Sequence, residues 1–191
     1  QSGYAGAAAF LDPKTGEVLA MTSRPSYDPN DFANGLDSAT WSRLLTDPQR
    51  PLTNRLIQGT YSPGSTFKIA MSVAALETGV IGPDFTVYCP GHYEFGGRSF
   101  KCSLSGGRGH GLVNLSQAIE KSCNVFFYTV GAKMKIDTIH DYAARLGLVG
   151  KTGIDLPGEQ DSFVASTAWS ARVRKQPWYP GATISVSIGQ G

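Results

Sequence analysis

The chain has 191 residues, 41% of them hydrophobic and 17% charged, and 17 Lys and Arg against 15 Asp and Glu leave a formal net charge of +2. These values describe a chain able to close a core, and they exclude a disordered polymer, a collagen, a coiled coil and a disulfide-stapled miniprotein. The charge is too small to make nucleic acid a partner, no apolar run is long enough to span a membrane, and the N-terminus does not read as a signal peptide.

Ala7-Ala8-Ala9-Phe10-Leu11 and Val18-Leu19-Ala20-Met21-Thr22 flank Asp12-Pro13-Lys14-Thr15-Gly16, a turn sequence with Pro early and Gly late. The pattern predicts a hairpin over residues 6–11 and 17–23. Residues 24–55 are rich in Asp, Asn, Pro and Ser and read as loop, with a short helix near Trp41–Leu45 capped by Asp37 or Ser38. Ser62 and Pro63 then open a helix whose Ile69, Val73 and Leu76 recur at helical spacing up to Gly79. Residues 82–113 are glycine-rich and read as a long loop. A helix is expected over Ser116–Lys121, broken at Ser122-Cys123-Asn124 and resumed over Val125–Val130. Another is expected from a capping Asp137 to Leu146, with Gly147 as its stop.

Ser65-Thr66-Phe67-Lys68 is an S-x-x-K pattern at the start of the chain's best helix. A serine and a lysine three apart share one helix face, so an amine there can reach the hydroxyl and activate it, provided burial or positive neighbours lower its pKa. The four letters alone occur about once by chance in such a chain, and a capping serine beside a solvated lysine is the plain alternative. Ser122-Cys123-Asn124 is an S-x-N pattern, also expected about once or less by chance. It reads either as a polar break between helices or as a proton-relaying Ser122 with a substrate-binding Asn124 amide.

The flanking segments go further. Pro51-Leu52-Thr53-Asn54-Arg55 leads through Gly59 and Tyr61 to Pro63-Gly64-Ser65-Thr66-Phe67-Lys68. Asp12 to Ala20 and Pro25-Ser26-Tyr27-Asp28-Pro29-Asn30 lie upstream; Thr152 to Glu159 and Ile188-Gly189-Gln190-Gly191 lie downstream. On these segments nearly the whole chain resembles the transpeptidase domain of class B penicillin-binding proteins, most closely the penicillin-binding protein 2 group. The resemblance implies an α+β fold, an α/β/α sandwich on an antiparallel sheet like that of serine β-lactamases. It also implies a Ser65 nucleophile with Lys68 as its base, no cofactor for catalysis, and acylation of the same serine by β-lactams. The implied reaction crosslinks peptidoglycan stem peptides in the periplasm, in a protein anchored in the inner membrane and partnered by a polytopic membrane glycosyltransferase of the rod-shape machinery.

The family's Lys-Thr/Ser-Gly motif is expected beyond Gly191, so residues 1–191 are expected to form a partial domain. Its C-terminal strands, membrane anchor and pedestal lie outside the sequence, the sheet is incomplete with an exposed edge, and activity is weak or absent. Lys14-Thr15-Gly16, in the hairpin turn, and Lys151-Thr152-Gly153, beside Pro157 and Gly158, are not that motif. Gly181-Ala182-Thr183 departs from the family's Gly-Asp-Thr. A D,D-carboxypeptidase or serine β-lactamase, a β-lactam sensor or scaffold without turnover, and a zinc-binding interaction module are the rival readings.

The three cysteines, Cys89, Cys102 and Cys123, are an odd count that disulfides cannot exhaust, and His110 lies among them. Three thiolates and an imidazole are a complete set for structural zinc, although the spacing is no zinc-finger signature. A Cys89–Cys102 disulfide and inert buried thiols remain open. His92 and His140 have no cysteine neighbours to complete a set.

Overall fold

The two apolar runs around the Asp12–Gly16 turn form an antiparallel pair, β1 (Gly6–Leu11) and β2 (Val18–Arg24), with a register shift at Phe10/Leu11. The computed structural model describes residues 4–33, 35–104 and 108–191. These fall into two units, one running to Tyr61 and including Gly153–Gln160, the other Ser62–Thr152 with Asp161–Gly191.

The first unit holds the hairpin and the helices α1 (Pro29–Ala33), α2 (Ser38–Thr46) and α3 (Arg55–Gln58). Of the two expected caps for α2, Asp37 is used, its carboxylate accepting from the Ala39 and Thr40 amides at 2.9 Å. Ser23 of β2 donates to the Thr53 carbonyl and accepts from the Arg55 amide, which pins α3 to the hairpin.

The second unit opens with a 3₁₀ turn (Gly64–Phe67) that runs into α4 (Lys68–Glu77). Ser62 does not cap it: no side chain serves as cap, and Thr66 Oγ1 instead bonds back to the Pro63 carbonyl at 2.8 Å. The expected apolar face is also not the buried one. Ile69 is 63% and Leu76 41% exposed, while Met71, Ala74 and Ala75 are buried together with Lys68. Small residues let α4 approach its neighbours closely, and close packing outweighs burial of the larger branched chains.

Among the described residues, the stretch expected as a long loop instead holds four short strands, β3 (Thr86–Cys89), β4 (His92–Phe95), β5 (Arg98–Lys101) and β6 (Gly111–Asn114). β3 pairs with β6 and β4 with β5, both antiparallel. Gly96 and Gly97, at φ +57° and +75°, make the two-residue turn between β4 and β5. Tyr93, Phe95 and Phe100 pack as aromatics against the core, with Tyr93 and Phe100 against Tyr128.

Next come α5 (Leu115–Glu120) and α6 (Asn124–Lys133); the expected break is present, but Asn124 already belongs to α6 rather than to the break. Helix α6 is buried nearly all round, with Phe126 and Phe127 fully enclosed, so it is the axis of the core. Helix α7 (Ile136–Arg145) follows; Lys135 rather than Asp137 occupies its cap. Asp137 accepts from the Thr167 amide and hydroxyl, both at 2.7 Å, tying α7 to α8 (Thr167–Trp169). A π-type turn (Ser170–Arg174) and α9 (Pro180–Val186) complete the unit. Gly131 of α6 lies against Ser187 just past α9, where an added Cβ would come within 2.6 Å of the Ser187 Cβ.

The class is α+β, as expected. Among the described residues the strands pair two by two, and no helix is long and apolar enough to cross a membrane.

Candidate active site and cysteine–histidine cluster

The turn bearing Ser65 is held by a backbone clasp. The Gly64 amide donates to the Gly189 carbonyl at 3.1 Å, and both glycines have positive φ. A side chain on Gly189 would collide with the Gly64 carbonyl, so the close approach requires glycine there. In the sequence Gly189 stands out only within the Ile188-Gly189-Gln190-Gly191 segment, and its pairing with Gly64 has no local signal.

Ser65 is exposed, whereas Lys68, one turn on, is 2% exposed. The Lys68 amine has three partners: the Ser122 carbonyl at 2.8 Å, Ser122 Oγ at 3.0 Å and Asn124 Oδ1 at 2.7 Å. Ser122 Oγ in turn donates to Ser65 Oγ at 3.0 Å. The link between Ser65 and Lys68 therefore passes through Ser122, where direct contact was expected. All four sequence-predicted residues meet in one place. Burial lowers the Lys68 pKa below that of a free lysine, partly opposed by the nearby Cys123 and Cys102 sulfurs. The Phe127 ring lies 5.4 Å from the amine and forms part of that apolar wall.

Ser122 has φ +51°, in the left-handed region. The cause is local: its amide bonds to the Ile119 carbonyl and the next amide, Cys123, bonds to Ala118, the crossed pair that ends a helix in a Schellman corner. Glycine is the usual occupant of that position, and a non-glycine residue held left-handed costs about 1–3 kcal/mol. The Ser103 hydroxyl donates to the Ser122 carbonyl at 2.7 Å. Asn124 starts α6 and donates through Nδ2 to the Lys101 carbonyl at 3.4 Å, which also receives Tyr128 at 3.3 Å.

Beside this corner the four sulfur and nitrogen atoms converge. Cys89 and Cys102 sulfurs are 3.6 Å apart, Cys102 and Cys123 3.8 Å, and His110 Nδ1 lies 3.6 Å from Cys89 and 3.4 Å from Cys102. All ligand atoms lie within 4.8 Å of one another. A tetrahedron with Zn–S bonds of 2.3 Å has S···S edges of about 3.8 Å, so the set fits zinc with little movement. The cysteines are free, so the disulfide reading is not realised. Burial and the two neighbouring sulfurs push the Cys123 thiol up; at Cys102 hydrogen bonds from the Val125 amide and Cys89 outweigh burial and bring it down. Negative charge crowded among buried sulfurs is what a bound cation relieves.

Residues 6–191 match the family model of the penicillin-binding protein transpeptidase domain. The chain belongs to that family. It is 41% identical over 190 residues to the peptidoglycan D,D-transpeptidase MrdA of Escherichia coli K12, covering 100% of this chain and 30% of that protein. It thus spans less than a third of the length of this curated relative. Among solved structures, penicillin-binding protein 2 of Helicobacter pylori in its complex with MreC superposes with a TM-score of 0.92 at 33% identity, over 98% of this chain and 35% of that one. Penicillin-binding protein A of Mycobacterium tuberculosis, as its penicillin G acyl-enzyme, superposes with a TM-score of 0.81 at 31% identity, over 97% and 42%. Within this transpeptidase domain, Gly181-Ala182-Thr183 lies in α9, with Ala182 lining a small cavity beside Arg98 and Tyr179.

Proposed function

We propose that this chain is part of a peptidoglycan D,D-transpeptidase in which Ser65 is the nucleophile. The observation that carries the reading is the hydrogen-bonded series Ser65–Ser122–Lys68, closed by Asn124. A neutral amine has two N–H donors and one lone pair. The Ser122 carbonyl and Asn124 Oδ1 can only accept, so they take the two donors and leave the lone pair facing Ser122 Oγ. In that state both hydroxyls turn round, Ser122 donating to the Lys68 lone pair and accepting from Ser65, so Ser65 passes its proton to Ser122 as Ser122 passes its own to Lys68. Ser65 Oγ then bonds to the carbonyl carbon of the penultimate D-alanine of a stem peptide. The peptide C–N bond breaks, and terminal D-alanine leaves with the proton returned from Lys68 through Ser122. An amine of a second stem then attacks the ester carbonyl; the bond to Ser65 Oγ breaks, the proton lost by the amine returns to Ser65 through Lys68 and Ser122, and the new amide is the crosslink. A β-lactam opens its ring on the same Ser65; the mycobacterial relative is solved as its own penicillin G acyl-enzyme.

The cysteine–histidine cluster is proposed to hold one structural zinc through Cys89, Cys102, Cys123 and His110 Nδ1. Four protein ligands fill the coordination of the ion and leave no open position, the arrangement of structural sites. Its effect on the chemistry is positional. Cys123 lies between Ser122 and Asn124, so fixing that sulfur fixes both groups against Lys68.

The wider setting is part of the same proposal. The domain sits in the periplasm of a protein held in the inner membrane, beside MreC and a polytopic glycosyltransferase; the complex solved for the Helicobacter relative supports the MreC part. Labelling of the full-length protein with a fluorescent penicillin tests the central reading. Label should attach to Ser65 and vanish in Ser65→Ala. Label on another residue, or none, sinks it. Release of D-alanine with transfer to an amine acceptor then separates a transpeptidase from a carboxypeptidase, which transfers to water alone.

A further inference from the structure

We propose that Ser103 is a positioning residue for this acyl transfer: by donating to the Ser122 carbonyl it fixes the corner from which Ser122 bridges Ser65 and Lys68. The inference rests on the transpeptidase reading and extends it to a residue that no motif contains. Ser103 Oγ lies 2.7 Å from the Ser122 carbonyl oxygen and 3.4 Å from that of Lys121. The same Ser122 oxygen accepts from Lys68 at 2.8 Å. A carbonyl has two lone pairs, so Ser103 and Lys68 occupy one each and together fix the orientation of that peptide. Turning the peptide out of the left-handed region would break both bonds and move the Ser122 hydroxyl off the line to Ser65.

The sequence explains how the two serines meet. Ser103 follows Cys102, and Ser122 precedes Cys123; the two sulfurs are 3.8 Å apart. Each serine is thus one residue from a ligand of the cluster, and the cluster brings the two dipeptides together. Ser103 itself is exposed and has no bond to Ser65 or Lys68. Its influence on the reaction therefore runs through Ser122. Exposure also sets the size of the effect. Water can occupy the place of a missing surface hydroxyl, though with less orientational constraint. Loss of Ser103 should therefore slow acylation by about fivefold to tenfold, the worth of one ordinary hydrogen bond, rather than abolish it.

The test uses the full-length, zinc-loaded protein, with binding and acylation by a fluorescent penicillin resolved in stopped flow. In Ser103→Ala the acylation rate constant should fall about fivefold to tenfold, with the dissociation constant of the initial complex unchanged and about one zinc per chain retained. Ser103→Thr, which keeps the hydroxyl, should restore the rate. A wild-type rate in Ser103→Ala, a fall that Thr does not rescue, or loss of zinc in Ser103→Ala would overturn the proposal. Amide exchange at residues 122–124 is read in parallel and does not depend on activity; it should quicken in Ser103→Ala and recover in Ser103→Thr. If the wild-type protein takes no label at Ser65, the transpeptidase reading fails, and unchanged exchange in Ser103→Ala would sink the positioning role separately.

Discussion

The hydroxyl of Ser122 lies 3.0 Å from that of Ser65, and it is presented from a backbone corner where helices ordinarily place glycine. Holding a serine in the left-handed conformation costs stability, and from that corner its hydroxyl bonds both Ser65 and Lys68; under the proposed function this side chain completes the proton path. Two substitutions separate these contributions. Ser122→Gly should slow acylation by about 10²–10⁴-fold, the range for a lost proton-transfer group. It should also relieve backbone strain worth about 1 kcal/mol or more. Ser122→Ala should lose the same activity with no relief. Denaturant unfolding of the two variants checks the stability half, and equal midpoints would contradict the strain argument.

Lys68 fixes the pH dependence. Its folded-state pKa is depressed below the ordinary 10.5 by burial. Under the proposed mechanism the base is the neutral amine, so acylation should rise with pH and level off with a midpoint below 10.5. The stability sign follows by linkage. A charged Lys68 is less favourable in the fold than in the unfolded chain, so the penalty is complete below the folded pKa. It disappears as pH rises from that pKa through the unfolded value, and this group's contribution to stability increases across the window. Lys68→Met should abolish acylation while removing that pH-dependent increment. A rate that is flat with pH, or that falls as the amine deprotonates, would contradict the assignment of Lys68 as base.

The contact of α6 with the segment after α9 gives a purely structural prediction. Gly131 lies where a Cβ would approach the Ser187 Cβ to 2.6 Å and its hydroxyl to 3.0 Å. Gly131→Ala gains helix propensity, worth about 1 kcal/mol in an open helix, but here it overpacks a buried seam at a cost of about 1–3 kcal/mol. The net should be destabilising. Thermal unfolding decides: a Tm at or above wild type would show that the seam opens freely.

How far these features are legible in the sequence depends on how local their causes are. The S-x-x-K and S-x-N patterns, the Asp12–Gly16 turn and the α5/α6 break each lie within a few residues, and each is found where it was read. The cysteine cluster was legible from composition, since all three thiols lie in one stretch of chain. Helix α4 was read from its largest apolar residues, yet Ile69 and Leu76 face out and the alanines face in, a choice made by the neighbouring helices. β4 was hidden because His92-Tyr93-Glu94-Phe95 is too short to show its alternation beside so many glycines. Asp137 looked like a cap, but its carboxylate was claimed by Thr167, thirty residues away. Ser122 carried no sign of its left-handed backbone, because serine is not a residue that signals one.

The metal prediction joins the two halves of the site. Cys89, Cys102 and Cys123 are buried and unbridged, and with His110 they form four of the edges of a tetrahedron at 3.4–3.8 Å. Three sulfurs so close would repel one another as thiolates, and Cys123 resists ionisation for that reason together with burial. A divalent cation reverses the balance, deprotonating the thiols and holding them together. Elemental analysis of the folded protein should therefore find about one zinc per chain, and Cys123→Ser should lower that value sharply. Chelation should reduce the Tm by about 10 °C, since binding energy at such a site is folding energy and each kcal/mol is worth about 2–4 °C in a domain of this size. Acylation should fall in parallel, because Ser122 and Asn124 flank the released sulfur. If chelation removes zinc and leaves both Tm and acylation untouched, the cluster is a passive group of buried thiols. If mass spectrometry of the native protein finds Cys89 joined to Cys102, the same four residues cannot hold the metal as argued.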